Sequence, residues 1–191
     1  MHDTTSGTSA EPIEHNTFLR TERTRFRPID RSDLPTISSW YNDPEIRRLS
    51  GMSLPFLEQE REQWYMATQN TSSRLWFAVV SSEENTLIAE TGFQRYDSHW
   101  RTADLTLIVG NKQFQGDGYG TEILYEVLNY GFGVLNLHRI AVGIVGFNAR
   151  ALGFYKNAGF VEEGRQREGY YYDHEYHDFV MMSLLESEFR Q

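Results

Sequence analysis

The sequence predicts an α+β fold in which a mixed β-sheet is flanked by helices. Three observations predict it. Stretches of strand and helix character follow in the order strand, helices, three strands, helix, strand, helix, two strands. No internal repeat interrupts that order. With 39% hydrophobic and 14% aromatic residues, the 191-residue chain can bury one sizeable core.

Each element has its own signal. Residues 1–16 mix Ser, Thr, Gly, Glu and Pro without a hydrophobic period, which reads as a disordered tail ahead of a single domain over 17–191. Residues 24–29 (TRFRPI) alternate as a first strand. Asp30 and Asp33 then offer caps to a helix with apolar positions at Leu34, Ile37 and Trp40 or Tyr41. Asp43 before Pro44 ends that helix and caps a second, short one. Residues 57–68 form another, with Leu57, Trp64 and Thr68 on its inner face. Residues 75–80 (LWFAVV) and a stretch holding Leu87, Ile88 and Phe93 make a hairpin across the turn-forming SSEEN. Residues 102–109 are a further strand, followed by a glycine-rich stretch and then Ile123, Leu124, Val127, Leu128 and Phe132 at helical period. Residues 139–145 return to strand, Asn148 opens a helix that Gly159 closes, and two strands follow, the last over 179–185.

Charge and composition exclude several functions. Eighteen Lys plus Arg against 27 Asp plus Glu give a net charge of -9, the wrong sign for a nucleic-acid binder or a binder of anionic membranes. The polar start lacks a basic region and an apolar h-region, and no run of about 18 apolar residues exists, so a cytoplasmic protein is expected. Without cysteine there is no disulfide, no thiolate metal site and no thiol-bound intermediate.

Gln115-Gly116-Asp117-Gly118-Tyr119-Gly120-Thr121 lies between a strand and an amphipathic helix. There its backbone N–H groups and the helix N-terminus can point at one anionic group, as in a pyrophosphate cradle; a plain glycine-rich turn is the alternative. Thr121 stands where the Rossmann fingerprint needs its third glycine, and no Gly-Lys-Ser/Thr follows for a P-loop. A second segment runs Asn148-Ala149-Arg150-Ala151-Leu152-Gly153-Phe154-Tyr155-Lys156-Asn157-Ala158-Gly159-Phe160. Together, Gln-x-x-Gly-x-Gly and Asn-x-x-Ala-x-x-x-Tyr-x-x-x-Gly-Phe resemble the GNAT superfamily of acetyl-CoA-dependent N-acetyltransferases. The resemblance runs from about residue 24 to 185. It is nearest to the branch of ribosomal-protein N-terminal and spermidine acetyltransferases.

The resemblance implies a mostly antiparallel, twisted sheet and a set of acetyl-CoA contacts. Backbone groups of Ile108, Val109 and Gly110 would meet the acetyl group and pantetheine arm. Gln115, Gly116, Asp117, Gly118, Tyr119, Gly120 and Thr121 would meet the pyrophosphate. Asn148, Ala151, Tyr155, Lys156 and Asn157 would meet the rest of coenzyme A. Asp117 departs from the pattern, which often has Lys or Arg there, and an acid pointing at phosphate weakens binding.

Acetyl transfer to an amine needs a neutral nucleophile, a polarised carbonyl and a proton for the departing thiolate. Alkyl amines with a pKa of ~10 need a proton acceptor. Asp104 is the first candidate, on the strand that supplies Val109, and Glu90 is the second. Tyr155 matches the family's general-acid tyrosine, and a phenol suits protonation of a thiolate of pKa ~8.5. The Val109 N–H, on a splayed or bulged strand, could polarise the carbonyl. The cluster from Asp173 to Asp178 has the composition of a metal site, but His174 and His177 face opposite ways on a strand, so no metal is expected. Glu58, Glu60 and Glu62 read as a solvated helix face. Trp40, Trp64 and residues 170–172 are either core or acceptor walls. The expected function is direct acetyl transfer to a primary amine: a protein N-terminus, a polyamine or another small amine. Met52-Ser53-Leu54 lacks the clustered acids of polyamine enzymes. A homo-oligomer is compatible with the sequence, and a degenerate CoA-binding or interaction module is the alternative function.

Overall fold

The structure is a computed structural model that describes residues 16–69 and 73–190. The expected disordered tail, apart from Asn16, lies outside the described residues. Eight strands form one sheet: β1 (Leu19–Arg20), β2 (Thr24–Pro28), β3 (Leu75–Ser81), β4 (Leu87–Asp97), β5 (Thr102–Ile108), β6 (Arg139–Val145), β7 (Val161–Tyr172) and β8 (Glu175–Leu185). Their spatial order is β1-β2-β3-β4-β5-β6-β8-β7, and all neighbours are antiparallel except β5 and β6. Three helices lie between β2 and β3: α1 (Leu34–Asn42), α2 (Pro44–Ser50) and α3 (Glu58–Gln69). Helix α4 (Tyr119–Gly133) joins β5 to β6, α5 (Ala149–Asn157) joins β6 to β7, and α6 (Glu186–Phe189) ends the described chain. Among the described residues no helix is long and apolar enough to cross a membrane.

Strand alternation divides the core in two. One set of side chains, including Phe26, Phe77, Phe93, Leu105, Ile140 and Met182, packs with Ile123, Leu124, Val127 and Leu128 of α4 and with Tyr155 of α5. Helix α4 approaches closely because Gly131 has no side chain: a Cβ there would lie 2.8 Å from Phe93 Cζ and 2.9 Å from Ile140 Cδ1. The other set, with Ala78 and Ile108, packs under α1 and α3 against Leu34, Ile37, Trp40, Tyr41 and Trp64. Burying each large apolar side chain contributes about 1.5–3 kcal/mol, so these two layers hold the helices on opposite faces.

Local chemistry sets the helix ends. Asp43 accepts from the N–H groups of Glu45 (3.0 Å) and Ile46 (3.1 Å), capping α2. Asn148 caps α5 through Ala151 N–H (3.0 Å). Gly159, at φ +94°, lets the chain leave α5 in a conformation that a side chain disfavours. The expected inner face of α3 differs at one end: Trp64 packs inward, whereas Leu57 precedes the helix and is 52% exposed. Helical period alone cannot say where a helix begins to touch the sheet. The Asp173-His174 pair forms the tip of the β7–β8 hairpin, both at positive φ, and His177 packs against Phe147 with ring centroids 4.8 Å apart.

Candidate active site

The site begins where the parallel pair comes apart. β5 and β6 are in register only at Thr102↔Arg139, Ala103↔Ile140 and Asp104↔Ala141. Beyond this point β5 stays paired to β4 as far as Glu90↔Ile108, and β6 stays paired to β8 as far as Val145↔Phe179. The two inner backbone edges therefore diverge and flank a cleft of about 990 Å³, walled by residues 105–109 on one side and 141–145 on the other. Backbone N–H and C=O groups turned from a ladder partner need other partners, and an extended ligand carrying amides can supply them.

At the wide end the chain leaves β5 through Val109 and Gly110. The indole of Trp40 fills the space beside Gly110, where a Cβ would lie 1.8 Å from Trp40 Cδ2. Gly110 is thus demanded by packing, independently of any ligand. Gln115 turns back to donate Nε2–H to the Val109 carbonyl (2.7 Å). Gly116 and Gly118 adopt φ +99° and +83°, which side chains disfavour, and Gly118 is the N-cap of α4. Gly120 is different: its φ is ordinary and a Cβ would make only normal contacts, the nearest at 3.6 Å to Val109 Cγ2. Neither packing nor backbone conformation requires glycine there, yet Gly120 lines the cleft in the first turn of α4. That pattern fits a ligand approaching the backbone, and the first-turn N–H groups suit a phosphate.

Tyr155 lines the cleft from α5 and is 7% exposed, between the rings of Phe154 (5.1 Å) and Phe160 (5.2 Å). Burial pushes its phenol well above the usual value, so the group keeps its proton throughout the neutral range.

On the opposite face Glu90 is fully buried. It accepts from the Tyr41 hydroxyl and from Trp76 Nε1–H (3.0 Å). Burial raises its carboxyl to about 7, and the two donated hydrogen bonds limit the rise. Asp104 lines the cleft where the strands part and is ion-paired with the exposed Arg95.

Of the residues singled out in the sequence, Asp104, Ile108, Val109, Gln115, Gly116, Gly120, Asn148, Ala151, Tyr155 and Asn157 line this one cleft. Glu90, Gly110, Asp117, Gly118, Tyr119, Thr121 and Lys156 stand outside its lining. Asp117 is exposed, and Lys156 Nζ is 3.6 Å from Glu162. Two arginines beside the cleft escaped the sequence reading. Arg23 donates Nε–H to Glu122 (2.7 Å) and Nη1–H to the Asp117 carbonyl (3.0 Å), and stands over the Tyr119 ring at 4.2 Å. Arg150 lines the cleft and reaches Gln115 Oε1 (3.4 Å). Arg150 sat in the second motif as a cation in a helix's first turn, a signal that was available. Arg23, 94 residues before Asp117, carried none. Trp40 is core and Trp64 is a wall of the cleft, joined there by Tyr41, Phe56 and Trp76.

A family profile for the acetyltransferase (GNAT) domain matches residues 23–161. Spermidine N(1)-acetyltransferase of Vibrio cholerae is 29% identical over 168 residues, covering 85% of this chain and 93% of that protein. YdaF of Bacillus subtilis, named as a putative ribosomal N-acetyltransferase, is 35% identical over 77 residues, covering 40% of this chain and 42% of that protein. The crystal structure of the Vibrio cholerae spermidine N-acetyltransferase in complex with CoA and spermine matches with a TM-score of 0.82 at 26% identity, covering 90% of this chain and all of that one. The chain belongs to the GNAT family of acetyltransferases. It is an acetyl-CoA-dependent enzyme that transfers the acetyl group to an amine.

Proposed function

We propose that the chain acetylates a small primary amine directly, in a ternary complex, with Tyr155 protonating the departing thiolate and Glu90 receiving the amine's proton through the Tyr41 hydroxyl. The parting of β5 and β6 after Asp104 and Ala141 carries this reading, because it opens a slot beside unpaired strand edges with a glycine loop at its mouth. When bound, acetyl-CoA supplies the acetyl group and a thiolate leaving group. Backbone groups of Ile108 and Val109 would hold the pantetheine arm, and the first turn of α4 with Gly116 and Gly120 would hold the pyrophosphate. Arg23 and Arg150 would supply the positive charge that Asp117 does not. The Val109 N–H would donate to the acetyl carbonyl oxygen as negative charge builds there.

The amine's N–C bond forms as the C–S bond breaks. One ammonium proton passes to solvent before attack. A second leaves nitrogen toward the Tyr41 oxygen while the Tyr41 proton moves to Glu90. Tyr155 gives its proton to sulfur and recovers one from solvent. Glu90 at about 7 is half ionised near neutrality, the condition under which a general base works best. Asp104 is the second candidate; its carboxylate is engaged by Arg95, and it lies four residues, ~13 Å, along β5 from Ile108, the partner of Glu90. The sequence carries no cysteine, which supports direct transfer. Dependence on acetyl-CoA, a metabolite of the cell interior, supports a cytoplasmic site of action. The test is single-turnover acetylation by Tyr155→Phe, which should be slowed while CoA binding is retained.

A further inference from the structure

We propose that the acceptor is an arylalkylamine, a single ammonium on an aromatic, apolar skeleton, selected by a ring-walled box made of Tyr41, Phe56, Trp64 and Trp76 in front of Glu90. The proposal rests on the reading of this cleft as the place of acetyl transfer. The four rings come from α1, the α2–α3 connection, α3 and β3, and all line the cleft. They form one contact chain, with centroids 5.0 Å apart for Tyr41–Phe56, 6.5 Å for Tyr41–Trp64, 6.4 Å for Phe56–Trp64 and 5.9 Å for Trp64–Trp76. Two of these residues, Tyr41 and Trp76, hold the Glu90 carboxyl between their polar hydrogens. The box is therefore aromatic on the cleft side and is backed by one buried acid, which Tyr41 and Trp76 screen from the cleft.

Glu90 lies behind the lining, and the two acids that line the cleft, Asp104 and Glu45, are already matched. Asp104 is paired with Arg95, and Glu45 lies 3.2 Å from Lys112 Nζ. A polyamine with three or four charges would have to strip water from ammonium groups that then met aromatic and aliphatic walls without a carboxylate each. A monocation with an aromatic tail buries the tail against these rings and sets its one charge near ring faces and Glu90, where both attract it. The acceptor class thus differs from the spermine held in the Vibrio cholerae complex.

The experiment compares phenethylamine, spermidine and a short peptide with a free N-terminus as acceptors for the full chain by thiol release at saturating acetyl-CoA, with Trp64→Leu and Phe56→Leu as variants. Phenethylamine should show kcat/KM at least 10-fold above spermidine. Each variant should raise the phenethylamine KM at least 10-fold and leave the acetyl-CoA KM within 2-fold, a check that the variant is folded. Equal or better use of spermidine, preference for a peptide N-terminus over phenethylamine, or an unmoved phenethylamine KM in both folded variants would overturn the proposal. Calorimetry on the CoA complex separates the two readings. Phenethylamine that binds wild type, binds Trp64→Leu at least 10-fold more weakly and is not acetylated supports the box and defeats the catalytic assignment. CoA binding without phenethylamine binding overturns the box and leaves the cofactor site standing.

Discussion

The hydroxyl of Tyr41, on α1, donates to the carboxyl of Glu90, on β4, and both groups are buried. Forty-nine residues separate them in sequence. The pair ties α1 to β4 beside the aromatic wall of the cleft. If Glu90 is the proton acceptor proposed above, the pair ties proton uptake in the reaction to the stability of the fold.

That coupling gives a pH signature. Glu90 titrates at about 7 when folded and near 4.5 when unfolded, so the native state holds an extra proton between these values. Stability from this group is intact below pH ~4.5 and falls as pH rises to ~7, by roughly 3 kcal/mol in all. Denaturant unfolding from pH 4.5 to 8 should therefore show Glu90→Gln gaining on wild type as pH rises. A pH-independent difference would contradict the raised carboxyl. In kinetics the limb of kcat/KM near pH 7 should vanish in Glu90→Gln and persist in Asp104→Asn; the reverse pattern would make Asp104 the proton acceptor.

Tyr155→Phe retains the ring contacts with Phe154 and Phe160 and removes the proton source. The single-turnover rate should fall by roughly 10- to 1,000-fold, with CoA affinity little changed. A wild-type rate in the folded variant would mean that the hydroxyl is not the proton source.

Two glycines beside the cleft should separate packing from binding. Gly110→Ala collides with Trp40, so it should lower stability by at least about 1–3 kcal/mol, the scale of overpacking a core. Gly120→Ala finds space within the protein and should leave the melting temperature nearly unchanged while raising the acetyl-CoA KM. An unchanged KM in Gly120→Ala would remove the argument that a ligand approaches this backbone.

Arg23→Ala removes the clamp on the Asp117 carbonyl and a cation at the glycine loop. The acetyl-CoA KM should rise about 5- to 20-fold at low salt, and the gap to wild type should narrow as ionic strength increases. A salt-independent gap would show that Arg23 acts by shaping the loop alone.

The sequence by itself determined the order of elements from β2 to β8 and the two motifs whose residues flank one end of the cleft, but not the two-residue β1 or the short α6. Capping at Asp43 and Asn148, alternation in the strands and the two glycine-bearing motifs are local signals, and they survive into the structure because each is set by neighbours a few residues away. The extent of α3, the identity of Gly110's partner and the aromatic wall of the cleft were decided elsewhere. Trp40 reaches Gly110 across 70 positions, Arg23 reaches Asp117 across 94, and Glu90 owes its burial to Tyr41 and Trp76 on other elements. Periodicity reports which face of an element is apolar. It does not report which other element that face meets, because that choice is made when sheet and helices pack together. Whether a Trp becomes core, like Trp40, or a wall of the cleft, like Trp64, is therefore settled only by the tertiary fold.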